Sequence, residues 1–175
     1  MLLSQVFRSA QLMDALLFDP FDFCRRNDSR EGHIAIADLD RLSAAIADPS
    51  GVLEWRLNGG AGKLGYPMLT LSVRGQVRLI CQRCLNPLAF EIDSGAKLVL
   101  AKDESGADEI EDMLDDDTVD VIVGANTMNI ADLVEDEALL ALPLSPRHEV
   151  CPDSAIPHSG SGKESPFSVL RGLKN

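Results

Sequence analysis

Between Val52 and Leu100 several runs place apolar residues at every second position, and this alternation constrains the chain more than any other feature. Val52-Leu53-Glu54-Trp55-Arg56-Leu57 alternates, Met68-Leu69-Thr70-Leu71-Ser72-Val73-Arg74 alternates again, and Val77-Arg78-Leu79-Ile80-Cys81 follows. Two shorter runs, Pro87 to Ile92 and Ala96 to Leu100, extend the series. A period of two puts one set of side chains on one face of a strand. The pattern therefore predicts antiparallel sheet, with residues 58–63 as a glycine-rich loop and Gly75-Gln76 as a turn. The expected fold class is α+β: about five to seven short strands, mainly antiparallel, with flanking helices and with barrel-like closure left open.

Helical signals lie at both ends. Residues 2–18 carry Leu, Val, Phe and Met at helical spacing, ending at Asp19-Pro20, and residues 19–23 read as an extended or turn segment. Asp38 is placed to cap a helix from Leu39 to Ala47, with Leu39, Leu42 and Ile46 on one face. Asn129 is placed to cap another from Ile130 to Leu142, with Asp132 in its first turn. Val119 to Val123 reads as one more strand. The chain divides into an N-terminal extension or helix (1–18), a main domain (19–151) containing an acidic loop at 102–118, and a flexible tail (152–175). That tail is rich in Pro, Ser, Gly and His up to residue 165 and ends in the apolar-basic stretch Pro166 to Lys174.

The net charge of −12 is unevenly spread. Residues 103–137 hold 14 of the 28 acidic residues and no Lys or Arg, which leaves the remainder at +2. Global acidity opposes binding to nucleic acid at long range, but a near-neutral body can still enter a basic or RNA-containing assembly. The longest apolar run, Ala138 to Leu144, is far short of a membrane span, and the first residues do not form a signal peptide. A cytoplasmic location is expected. In that compartment the four cysteines are free or metal-bound rather than disulfide-linked.

Cys81-Gln82-Arg83-Cys84 falls at the turn of a predicted hairpin, and His148 and Cys151 follow much later as H-x-x-C. Together they offer a Cys3His set, the four soft ligands of a structural zinc. The plainer reading is reduced, half-buried thiols with His148 on the surface; the two stand level. A thioredoxin-like C-x-x-C would open a helix, whereas this one follows a strand and precedes Pro87. Cys24 has no patterned partner and reads as core.

Within the predicted helix, Ile130, Leu133, Val134, Leu140 and Ala141 share a face with Glu137 in its middle, while Asp132, Glu135 and Asp136 lie opposite. A carboxylate on an apolar face needs a partner, and Arg83 is the natural cation for Glu137. Arg74, Arg78 and Arg83 lack interleaved aromatics and make a poor RNA signature. Gly62-Lys63 lacks both the first glycine and the Ser or Thr of a phosphate loop. No catalytic residue is assigned.

Cys81 to Leu85, Asp132 to His148, and Cys151 resemble the YceD family, and Ser165 to Lys174 is similar to that family's ending, Pro-Phe-x-x-Leu-x-x-Leu-Lys. The resemblance implies a bacterial, cytoplasmic, non-catalytic factor supporting the synthesis, processing or stability of large-subunit ribosomal RNA. Its partners would be pre-ribosomal large-subunit RNA or ribosomal proteins. The residues expected to hold its shape or meet a partner are Arg83, Asp132, Glu135, Asp136, Glu137, Pro143, Pro146, Phe167 and Leu170. Two other classes compete: a small zinc-binding interaction module unrelated to ribosomes, and a metal-dependent nuclease using Asp132, Glu135 and Asp136.

Overall fold

In the computed structural model, residues 16–151 are described; the predicted helix over 2–18 and the tail lie almost wholly outside them. Five strands form one open sheet: β2 (Ser29–Ala35), β3 (Val52–Ala61), β4 (Pro67–Ile80), β5 (Pro87–Ala101) and β6 (Asp120–Val123), in that spatial order. All neighbours are antiparallel except β5 and β6. A second, two-stranded sheet pairs β1 (Leu17–Phe18) with β7 (Met128–Asn129). The α+β expectation holds, and the sheet does not close into a barrel.

Alternation does the work predicted of it. Leu53, Trp55, Leu57, Leu69, Leu71, Val73, Val77, Leu79 and Ile92 are buried on one face. Against that core pack side chains from α1 (Pro20–Arg26), α2 (Asp40–Ala45) and α4 (Ile130–Ala141), among them Phe23, Leu42, Ile130, Val134 and Ala138. Burying each large aliphatic side chain stabilises by about 1.5–3 kcal/mol.

Five sequence expectations need correction. Gly75-Gln76 is not a turn: β4 runs straight through it, with Gly75 opposite Leu53 and Ile92. A Cβ on Gly75 would lie 2.6 Å from Leu53 Cδ2, so the residue is small because a neighbouring strand crowds it. Similarly, the runs at 87–92 and 96–100 are one strand, β5. The glycine loop is shorter than expected, because Gly59 and Gly60 continue β3, and α1 lies directly on Gly59. A Cβ there would meet Phe23 Cδ1 at 2.6 Å and the Phe23 carbonyl oxygen at 2.8 Å. Gly59→Ala is accordingly expected to destabilise the fold by about 3 kcal/mol, read as a lower urea midpoint at unchanged slope; an unshifted midpoint would show that α1 can lift off without cost.

The segment after Asp19 is a helix, α1, not an extended stretch. Asp19 accepts from the N–H groups of Phe21 and Asp22 at 2.9 and 3.0 Å, and Pro20 sits at the first helical position. An N-cap aspartate followed by proline is a helix start.

The acidic stretch at 102–118 is mainly a helix, α3 (Glu104–Leu114), not a loop. The topology requires it: β6 runs parallel to β5, and parallel neighbours need a crossover, usually helical. Asp103 caps α3 through the Gly106 N–H at 2.8 Å. Ala107, Ile110 and Leu114, at helical spacing, pack on Val99 and Ala101. The end of β5 is thus buried on both faces, which accounts for its unbroken apolar run from Leu98 to Ala101. Beyond α3, Lys63 pairs with Asp116 and, with Thr118, holds that carboxyl well below its usual range.

Candidate metal centre

The hairpin joining β4 to β5 closes over residues 81–86. Cys81 N–H donates to the Asn86 carbonyl at 3.0 Å, and Leu85 N–H donates back to the Cys81 carbonyl at 2.9 Å. Leu85 adopts a left-handed φ of 59° to complete the turn, a conformation unusual for a branched side chain. Far along the chain, the segment after α4 returns to this turn. The Gln82 N–H donates to the Pro146 carbonyl at 2.8 Å and registers residues 146–151 against the hairpin.

The return brings Cys81, Cys84, His148 and Cys151 together, with their ligand atoms all within 4.8 Å of one another. Cys81 Sγ and Cys151 Sγ are 3.8 Å apart, and Cys84 Sγ lies 3.4 Å from His148 Nδ1. Disulfide sulfurs would sit about 2 Å apart, and all four cysteines are free. Two sulfurs at about 2.3 Å from one tetrahedral zinc are separated by about 3.8 Å, and a sulfur and an imidazole nitrogen by about 3.5 Å. Donor type and donor number fit a closed tetrahedral site, as do the Cys81–Cys151 and Cys84–His148 separations.

Charge at the centre also suits a cation. Burial opposes ionisation of Cys81, yet the N–H groups of Cys84, His148 and Arg83 point at its sulfur and hold the thiol down to about 5. Cys84 moves the other way despite the Asn86 N–H, because burial and the sulfurs of Cys151 and Cys81 disfavour a second negative charge there. Two neighbouring thiols, Cys81 and Cys84, pushed in opposite directions are groups whose mutual repulsion a divalent metal would relieve.

Arg83 does not meet Glu137. Its Nε donates to Cys151 Sγ at 3.0 Å, and its Nη2 donates to the carbonyls of His148 and Glu149 at 3.1 and 3.4 Å. Glu137 is buried in α4 as expected, but it accepts from Ser94 Oγ on β5. A neutral hydroxyl close at hand satisfies it where sequence reasoning sought an arginine.

A buried carboxylate of α4 that does meet a cation lies elsewhere in the helix. Glu135, expected on the solvent side, is buried. Its Oε1 accepts from the N–H groups of Arg41 and Leu42 at 2.7 and 3.0 Å, and its Oε2 accepts from Arg41 Nε at 2.8 Å. Asp136 takes the other branch of Arg41 at 2.6 Å. Leu39, at the N-cap of α2, offers no side-chain acceptor, so α2 borrows its cap from α4. The available signal was a helix start without a capping side chain, and the predicted cap, Asp38, lies in the preceding 3-10 turn instead.

Asp132, Pro143 and Leu140 are exposed, the last contrary to its predicted place on the buried face. Asp132, Glu135 and Asp136 do not converge, since Arg41 occupies two of them. Arg74 and Arg78 do share a face of the straight β4, but Arg74 pairs with Asp93 and Arg78 lies beside Asp48. Phe167 and Leu170 fall outside the described residues. The four most exposed large apolar side chains among the described residues, Leu144, Val150, Leu140 and Leu85, all lie on or beside the segments carrying the ligands. No helix among the described residues is long and apolar enough to cross a membrane.

Comparison with known proteins agrees with this region. The family described as "Large ribosomal RNA subunit accumulation protein YceD" matches residues 69–174, from β4 through the cysteine–histidine cluster into the tail. A curated relative from Haemophilus influenzae, the large ribosomal RNA subunit accumulation protein YceD, is 27% identical over 171 residues, covering 91% of this chain and 95% of its own. No solved structure matches.

Proposed function

Because the chain belongs to the YceD family, we propose that it supports accumulation of large-subunit ribosomal RNA as a non-catalytic factor acting in the cytoplasm, through RNA synthesis, processing or stability. The observation that carries this reading is the extent of the family match: it takes in the β4–β5 hairpin, the metal-ligand cluster, α4 and the C-terminal segment together. The name of the Haemophilus influenzae relative supports large-subunit ribosomal RNA as the molecule whose accumulation the factor serves.

Four protein ligands leave no open coordination position, which favours a structural zinc over a catalytic one. Zinc at Cys81, Cys84, His148 and Cys151 would clamp residues 143–151 to the hairpin and hold Leu85, Leu144 and Val150 outward. These aliphatic side chains suit contact with a ribosomal protein better than stacking on bases. Asp132, Pro143 and Pro146 belong to the same contact region in this reading, while Glu135, Asp136 and Glu137 hold α4 in place.

Sedimentation of a lysate tests the proposal. The protein is expected in precursor large-subunit fractions, and deletion is expected to lower large-subunit ribosomal RNA relative to small-subunit RNA. A protein found only at the top of the gradient, with an unchanged RNA ratio after deletion, overturns it.

A further inference from the structure

Building on the zinc reading, we infer that Arg83 is an outer-shell residue of the centre, whose guanidinium neutralises the charge of the ligand set and locks its two halves together. Three thiolates, a neutral imidazole and a divalent zinc sum to one negative charge. Cys81 and Cys151 are buried, and a buried charge without a counterion is costly. Arg83 is the cation placed against it, with Nε 3.0 Å from Cys151 Sγ.

The geometry uses the guanidinium as a fork. One N–H points at a ligand sulfur, while Nη2 reaches the carbonyls of His148 and Glu149 at 3.1 and 3.4 Å. The side chain starts between Cys84 and Cys81 and ends on the segment carrying the other two ligands, so it spans the same gap as the metal. An ammonium could supply the charge but not this divided, planar set of donors. The guanidinium also stays protonated at any working pH, so its charge is constant.

A second outer contact completes the arrangement. His148 Nε2 lies 3.2 Å from the Pro87 carbonyl. A carbonyl only accepts, so Nε2 carries the proton and the Nδ1 lone pair faces Cys84. Metal-bound histidines are commonly fixed in this way, and loss of such outer partners typically weakens binding by about 10- to 100-fold. Arg83 and the Pro87 carbonyl thus hold the ligands Cys151 and His148 respectively.

The test uses the full chain, with zinc affinity measured by chelator competition and cobalt(II) as a spectroscopic stand-in. Wild type is expected to bind one zinc. Arg83→Gln, which keeps an amide donor but loses the charge, should bind about 10- to 100-fold more weakly. Its cobalt–thiolate charge-transfer band should move to lower energy, because Cys151 loses the cationic donor that stabilises its sulfur lone pair. Arg83→Lys should recover part of the affinity and, if the glutamine variant does not fold, is compared directly with wild type, weaker binding than wild type being expected. Wild-type affinity and an unshifted band in the folded variants would overturn the role of Arg83 while leaving the zinc reading intact. A wild-type protein that takes up no zinc would overturn both.

Discussion

Cys81→Ser is expected to purify without zinc and to lose the attachment of residues 143–151 to the hairpin. In the proposed zinc site Cys81 would be one of four ligands, and it is the most deeply buried of the cluster, so the loss should exceed what removing Arg83 costs. With free zinc at a thousand times its dissociation constant, binding stabilises the folded chain by about 4 kcal/mol, and that increment should vanish in the variant. The sheet should survive, because the main core is assembled from Leu53, Leu71, Ile92, Val134 and their neighbours without either Cys81 or Cys151. The expected signature is therefore a near-native far-UV spectrum with faster proteolysis between Pro143 and Cys151. Chelator treatment of wild type should reproduce it. Equal protease resistance with and without metal would show that the segment is held by the Gln82–Pro146 and Arg83 contacts alone.

The second large effect concerns Glu135. Glu135→Ala should destabilise by about 3 kcal/mol near neutral pH. It removes a carboxylate accepting two backbone N–H groups and an arginine, the lower end of the range for breaking a buried pair; Arg41 itself is half exposed and partly screened. The pH dependence follows from the direction of the shift. Burial opposes the Glu135 charge, but the Leu42 N–H, the Arg41 side chain and the Arg41 N–H outweigh it, so the carboxyl titrates below its ordinary value. Its contribution is fully present above about pH 4.3, the value for an unfolded glutamate, and is lost as pH falls through the lower folded value. Urea unfolding of both proteins at pH 7 and pH 3 should show the gap narrowing in acid. A gap of the same size at both pH values would mean that shape, not charge, is what Glu135 supplies.

The places where sequence reasoning succeeded share a cause. Alternation at Leu53-Trp55-Leu57 and Leu69-Leu71-Val73 reports burial directly, so the core face was legible. The Asn129 cap of α4 was legible because capping is local: its side chain accepts from the Ala131 N–H two residues on. That Cys81, Cys84, His148 and Cys151 come together was legible from their C-x-x-C and H-x-x-C spacing, which pairs donors within each segment. What failed was partner choice. Arg83 and Glu137 looked complementary, yet a hydroxyl on β5 and a sulfur in the cluster lay closer, and only three-dimensional placement decides between them. Glu135 was misplaced because a projection of α4 shows which residues face the sheet but not that α2 covers another side. The glycines misled for a related reason: Gly59 and Gly75 are small to admit Phe23 and Leu53, and crowding from another element leaves the same letter in the sequence as a turn.

The cap that α4 lends to α2 also sets an order of events. Arg41 and Glu135 are 94 residues apart, and chains are synthesised at about 5–20 residues per second. A newly made α2 would therefore wait roughly 5–20 s before its acceptor has even been joined to the chain. A helix of only six residues does not persist unaided over such an interval. The first half of the sheet should accordingly be left open on that side while the ribosome is still extending the chain, and the arrival of α4 should be the step that seals it.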